Sequence, residues 1–170
     1  DGKGVITGSN PRSVLIAAYR FLREAGCRWV RPGEDGEKII PGDVKGLKVS
    51  MKEKASYRHR GVCVEGASSY NHVRQMIEWM PKIGLNGYFH QFFVPYTFFD
   101  KWYSHKSNPT LQTQKASFEE IEAMVESTIC SVKERGMMLH RVGHGWTCEP
   151  FGIPALGWDP VEYQKKEKFY

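Results

Sequence analysis

The chain has 170 residues, of which 41% are hydrophobic and 25% are charged, a balance typical of a folded globular protein. Its formal charge is +5, but the 24 Lys and Arg are interleaved with 19 acidic residues and form no basic stripe. No apolar run reaches the roughly 20 residues that span a bilayer. We therefore expect neither a nucleic-acid partner nor a membrane partner.

Four cysteines, Cys27, Cys63, Cys130 and Cys148, are widely spaced and include no C-x-x-C pair. This pattern argues against a disulfide framework and against a zinc ribbon. Cys63 and Cys130 lie in apolar periodic segments, so we expect them to be buried thiols. Such cysteine usage, without a signal-peptide pattern at the start, favours a cytoplasmic location over secretion.

Residues 1–55 predict a small α/β unit. A strand is expected at Gly4–Thr7, followed by a helix that is capped at Ser9 or Asn10 and ended by Gly26. The apolar stripe of this helix consists of Val14, Ala18, Phe21, Leu22 and Ala25. The next segments predict a strand, a glycine-rich turn and a second extended piece in "CRWVRPGEDGEKIIPGD", then a strand-like link in "KGLKVSMKEKAS".

Residues 56–170 repeat an alternation of strand and helix. Strands are expected at Val62–Val64, in "LNGYFHQFFV" and in "MMLHRVGH". A helix starting at Ser69 or Asn71 and ending near Pro81 and Gly84 lies between the first two. The other helix opens with a capping box of Ser117 and Glu120 and ends at Gly136. This order predicts parallel βα units.

Side chains with binding or catalytic chemistry follow the predicted strands. They are Glu65, His90, Gln91, His144, Trp146 and Glu149, with Arg60 beside them. Because the carboxyl ends of parallel strands meet at one edge, we expect these side chains to form a single rim. Nine aromatic residues between Tyr88 and Tyr103 favour a surface on which sugar rings stack.

Other kinds of site are less favoured. His140, His144 and Cys148 have a four-residue spacing that resembles a metal-ligand set, but glycines interrupt the segment and it is not a helix. A metal-dependent hydrolase is therefore the weaker alternative, and we expect neither a metal nor a cofactor. The chain lacks a G-x-S-x-G elbow and a P-loop. Each candidate taken singly is also compatible with an ordinary structural residue.

Several segments resemble a known group of enzymes. "YRHRGVCVEG", "IEWMPKIGLNGYFHQF" and "HRVGHGWTCEPFG" are similar to the opening of the catalytic barrel of β-N-acetylhexosaminidase-like and α-glucuronidase-like glycoside hydrolases, especially a bacterial glucuronidase-like family. "SVLIAAYRFLREAGCRWVRPGEDGE" resembles the end of the α/β domain that precedes that barrel. The resemblance implies an α/β chain with the C-terminal part of an accessory domain in residues 1–55. The first three strands of a (β/α)8 (TIM) barrel then follow in residues 56–170.

The resemblance also implies roles for particular residues. Arg60, in an "RG" pair, would bind sugar hydroxyls, His144, in a "GH" pair, would support the active site, and His90 matches a histidine of the second strand. Glu65 stands near an aspartate of those enzymes. Their acid/base carboxylate follows the fourth strand, and a complete barrel takes about 250 residues, so a longer enzyme is expected.

The function expected from the sequence is hydrolysis of glycosidic bonds in hexosaminide- or glucuronide-type glycans with carboxylic acid catalysis. Glu65 and Glu149 are the catalytic candidates. Arg60, His90, Gln91, His144 and Trp146 are the expected substrate-binding residues. The alternative is a non-catalytic carbohydrate-binding protein with the same fold. The sequence gives no indication of the oligomeric state.

Overall fold

The computed structural model describes residues 3–40, 44–64, 69–90, 108, 110–112 and 115–141. Within these ranges the helices are α1 (Pro11–Glu24), α2 (Tyr70–Trp79) and α3 (Phe118–Glu134). The strands are β1 (Arg28–Trp29), β2 (Glu37–Lys38), β3 (Gly61–Cys63), β4 (Gly87–His90) and β5 (Met138–Arg141). The fold is therefore mixed α/β. None of the described helices is both long and apolar enough to cross a membrane.

Strands β3, β4 and β5 form a parallel sheet in chain order. Gly61 pairs with Gly87 and Gly87 pairs with Met138, so the three strands start at nearly the same level. At the other end His90 pairs with Arg141. The prediction of parallel strands from the strand–helix alternation is confirmed, and the carboxyl ends of β4 and β5 do meet at one edge.

The two helices that connect these strands end where local signals place their ends. The Ser69 hydroxyl accepts a hydrogen bond from the His72 N–H at 3.2 Å and caps α2. Pro81 lacks the N–H that an α-helix needs, and the chain passes into a 3-10 turn at Met80–Ile83 before Gly84 (φ 90°). The capping box of Ser117 and Glu120 is formed at the start of α3.

The core lies on one face of the parallel sheet. It consists of Val73, Ile77, Met80, Tyr88, Val132 and Met137, contributed by both connecting helices, by β4 and by the turn before β5. The Tyr70 hydroxyl joins the two helices, because it donates to the Met124 carbonyl and forms a hydrogen bond with the Thr128 hydroxyl at 3.0 Å. Both crossovers therefore cover the same face, and no helix of the described ranges covers the other.

The first unit is less regular than predicted. Helix α1 is capped by Asn10, one of the two predicted caps, and the predicted strand and second extended piece contain β1 and β2, which pair antiparallel. The predicted strand at Gly4–Thr7 is wrong, and residues 47–55 are also without a strand, because neither segment has a partner strand in the described chain. Val14 and Leu22, predicted to be inner positions of α1, are exposed.

The first unit contacts the amino-terminal side of the parallel sheet. The Arg12 guanidinium donates to the carbonyl of Gly136, in the turn that precedes β5, at 2.7 Å. The Trp79 indole N–H, at the end of α2, donates to the Trp29 carbonyl at 3.0 Å. These contacts lie away from the carboxyl edge, where the ligand site was predicted.

The thiols differ from the sequence expectation. Cys27 is buried, but the prediction that Cys63 and Cys130 are buried is wrong, because both are exposed. Cys63 is level with Phe89 in the register of the sheet and lies on the face that the helices do not cover. Cys130 lines the outer groove between α2 and α3.

Candidate functional site

The carboxyl edge of the sheet holds His90 and Arg141 at paired positions of β4 and β5. His90 is half-buried, and its burial, together with the positive charge of Arg141, lowers the pKa of its imidazole below the ordinary value of 6.5. The ring is therefore neutral at pH 7. Because side chains alternate along a strand, His90 is on the same side as Tyr88, which packs in the helix-covered core.

Several predicted site residues lie outside the described residues. They are Glu65, Gln91, His144, Trp146 and Glu149. The aromatic segment 91–107 also lies outside the described residues. Of the proposed rim, the described chain therefore includes His90 and Arg60.

Arg60 is not at the carboxyl edge. It directly precedes β3 and is level with Asn86, while His90 is four residues farther along β4, about 13 Å away at about 3.3 Å per residue. Its Nε donates to the Gly84 carbonyl at 2.7 Å and its Nη1 to the Tyr57 carbonyl at 2.5 Å. The expectation that Arg60 shares one rim with His90 is wrong, because Arg60 comes before its strand and not after it.

Asn86 organises the amino ends of the strands. Its side chain is buried, with the Oδ1 accepting from the Arg60 N–H and the Nδ2 donating to the Arg58 carbonyl, both at 2.8 Å. Its backbone carbonyl accepts from the Met138 N–H at 2.9 Å. The sequence analysis missed this residue, because an Asn-Gly pair at the start of a strand also has the signature of a turn.

The helix-free face of the sheet carries a ring cluster formed by His59, Phe89 and His140. The His140 ring stacks on Phe89 with centroids 4.6 Å apart and planes at 15°, and it lies 5.4 Å from the His59 ring at a tilt of 58°. Two glycines lie beside these rings, and Gly61 leaves space that a side chain would fill. A Cβ on Gly61 would lie 2.9 Å from Phe89 Cε2, and one on Gly87 would lie 3.5 Å from His140 Nε2.

The nitrogens of this ring cluster have no hydrogen-bond partner within the part of the chain that the structure describes. His59 is exposed and His140 is half-buried on the helix-free face. The sequence analysis named His140 only within the weaker metal set and missed His59. The signal that could have found the pair is the two-residue spacing of His59, Gly61 and Cys63 from just before β3 to its end.

Neither a metal-ligand cluster nor a pocket coincides with these sites in the described part of the chain. Among the described residues, no group of three or more His, Cys, Asp or Glu is arranged to hold a metal ion. Of the predicted metal set, His144 and Cys148 lie outside the described residues. A polar groove of about 210 Å³ on the outside of α2 and α3 is lined by Tyr70, Arg74, Glu78, Thr128, Cys130 and Glu134. It contains none of the predicted site residues.

The geometry defines a class of protein, a mixed α/β fold with a small parallel sheet whose connecting helices lie on one face. We compared the chain with models of known protein families, with curated proteins and with solved structures, and none of them matches it. The assignment of function therefore depends on the strands, their edges and the sequence motifs.

Proposed function

We propose that the chain belongs to a carbohydrate-active glycoside hydrolase in which β3, β4 and β5 are the first three strands of a (β/α)8 barrel. One observation carries this proposal: three parallel strands follow one another in chain order, with both crossovers packed on the same face. In a barrel all helices lie on the outside, whereas helices cover both faces of a doubly wound sheet. The hexosaminidase-like and glucuronidase-like motifs give the chemical class.

The composition of the two faces supports the barrel proposal. Tyr88 packs in the helix-side core, and Val62 and Leu139 pack against it. These three residues are paired across the strands, so every second residue of each strand, counted from them, faces the helices. On the opposite face Phe89 and His140 occupy the same level of the register and stack on each other. Side chains arranged in levels across neighbouring parallel strands are how the interior of a barrel is filled.

The proposed reaction needs a carboxylic acid that protonates the departing glycosidic oxygen, and a second carboxylate or a substrate acetamido group that attacks the anomeric carbon. Glu65 and Glu149 are our candidates within this chain for the carboxylates. The pKa of His90 is lowered, so its neutral ring has one donor and one acceptor nitrogen, and we propose His90 as a contact to the sugar. We propose Gln91, His144 and Trp146 as further contacts to the sugar.

Arg60 has a different place in this proposal. Its guanidinium donates to the carbonyls of Gly84 and Tyr57 at the amino end of the sheet. We therefore assign Arg60 to the support of the β3 start, and the resemblance-based role in binding sugar hydroxyls is not retained.

The test is hydrolysis of aryl glycosides by the full-length protein, with N-acetyl-β-hexosaminides and α- and β-glucuronides as substrates. We expect turnover of at least one substrate, and a loss of about 100-fold or more for Glu65→Gln or Glu149→Gln if that residue is the general acid. Glu119→Gln, at an exposed position in the first turn of α3, is the matched control and should keep full activity.

Two outcomes would change the proposal. Binding of these glycosides without hydrolysis would favour the non-catalytic carbohydrate-binding alternative. The absence of both binding and hydrolysis across the panel would overturn a carbohydrate function for this chain.

A further inference from the structure

We propose that His59 and His140 together bind one divalent transition-metal ion, such as Zn²⁺ or Ni²⁺, on the helix-free face of the parallel sheet. His59 lies just before β3 and His140 lies in β5, so the ion would bridge the two outer strands across β4. In the proposed barrel the helix-free face lines the interior, so the ion would lie inside it towards the amino ends of the strands, separate from the hydrolytic site at the carboxyl edge. It also differs from the metal set suggested by the sequence, because His140 is paired with His59, which precedes β3, and not with His144 and Cys148.

The separation of the two rings fits one shared ion. With a Zn–N distance of about 2.1 Å and tetrahedral angles, the centres of two imidazoles on the same ion lie about 5.2 Å apart. The His59 and His140 ring centroids are 5.4 Å apart. Their planes are tilted by 58°, so the rings do not stack face to face on each other. The centroid spacing is therefore close to the one expected for two ligands of a single ion.

The chemistry of the pair also suits a metal. Imidazole is the commonest protein ligand for such ions, and neither ring has a hydrogen bond in the described part of the chain. Phe89 stacks on a face of the His140 ring, so an ion would be bound by a nitrogen in the ring plane. Gly87 lies beside this ring, where a Cβ would be 3.5 Å from His140 Nε2.

The expected site has two protein ligands, and water would fill the other coordination positions. Its affinity should therefore be lower than that of a structural site with four protein ligands. Because the two histidines converge only in the folded sheet, the ion should bind the folded chain preferentially and raise its melting temperature.

The experiment is calorimetric titration of the tag-free full chain, freed of metal by chelator, with Zn²⁺ and separately with Ni²⁺. We expect one equivalent to bind, with the affinity reduced at least tenfold in His59→Gln and in His140→Gln. His72→Gln, in α2, is the matched control and should bind like the parent chain. Melting curves should show stabilisation by Zn²⁺ in the parent and in His72→Gln, and little in the other two variants.

His59 is exposed, so His59→Gln should fold normally. This variant therefore tests the proposal even if His140→Gln does not fold. The proposal is overturned if the parent chain binds neither ion. It is also overturned if His59→Gln binds with the parent affinity, since the ion would then be held elsewhere, for example by cysteine thiolates. The absence of metal binding would not contradict the proposed hydrolase function, because the aryl-glycoside assay measures a different site.

Discussion

At the scale of single residues, the buried amide of Asn86 shows how much one polar side chain can organise. It satisfies the Arg60 N–H and the Arg58 carbonyl with its side chain, while its own backbone bonds to Arg60 and Met138. A typical hydrogen bond contributes only about 0.5–1.5 kcal/mol net, but a buried group that loses its partner costs about 1–3 kcal/mol. Loss of this amide therefore leaves two backbone groups unsatisfied.

We expect Asn86→Ala to lower the free energy of unfolding by about 2–4 kcal/mol, because both partners of the amide lose their hydrogen bonds. Urea unfolding measures this change. Asn71→Ala, an exposed asparagine in α2, is the control and should change stability by no more than about 0.5 kcal/mol. A loss below about 1 kcal/mol for Asn86→Ala would show that water replaces the amide at little cost.

His90 should make the stability of the chain depend on pH. Because burial and Arg141 lower its pKa in the folded state, the unfolded chain binds this proton more readily. The contribution of neutral His90 is complete above the ordinary value of 6.5 and is lost as the pH falls from 6.5 towards the lower folded-state pKa.

The measurement is the free energy of unfolding from pH 8 to pH 5 for the parent chain and for His90→Asn. The parent should lose more stability over this interval than the variant. Arg141→Gln should reduce the extra loss, because it removes the second cause of the lowered pKa. Parallel curves for the parent and His90→Asn would contradict this assignment.

At the scale of elements, helix ends follow local chemistry closely. Asn10, Ser69 and Ser117 each cap a helix in the way that the sequence predicts. The strands are short, with two to four residues each, and they depend on neighbours for their hydrogen bonds. This difference explains why the predicted strand at Gly4–Thr7 is not formed whereas all three described helices are.

Ser117→Ala should lower the free energy of unfolding by about 1 kcal/mol, because the N–H of Glu120 loses its side-chain acceptor. Amide hydrogen exchange at Glu120 should accelerate with it. Ser127→Ala, an exposed position in the middle of α3, is the control, where alanine should leave stability unchanged or raise it slightly. Equal effects of the two substitutions would show that the cap adds nothing beyond helix propensity.

At the scale of the whole molecule, the first unit and the parallel sheet are joined by specific polar contacts. Arg12 donates to the Gly136 carbonyl after α3, and Lys82 forms an ion pair with Glu37. The cation of Arg12 also lies near the carboxyl-terminal end of α3, where a positive charge is favourable. We therefore expect a change at Arg12 to be transmitted from α1 to the strand that follows Gly136.

Arg12→Ala should lower the free energy of unfolding by about 1 kcal/mol, and it should increase hydrogen exchange in both α1 and β5. Mass spectrometry of peptides from these two elements measures the effect. Arg23→Ala, an exposed position near the end of α1, is the control for the loss of an arginine. An increase confined to α1 would show that the first unit and the sheet open independently.

The sequence by itself determined the three helices, their caps and the parallel order of β3, β4 and β5, because capping, glycine termination and strand–helix alternation act over a few residues. It also placed His90 at the end of a strand. The neutral state of that ring was not predictable, since it depends on burial and on Arg141 in another strand.

Only the tertiary structure decided which distant residues share a level of the sheet. The register of the strands places Arg60 beside Asn86 at their amino ends, away from the carboxyl edge where the sequence motifs predicted it. The packing of β3 and β5 around β4 likewise brings His59 to His140. A single strand specifies the alternation of its own side chains, but the neighbour that each side chain meets is set by pairing between segments far apart in the chain.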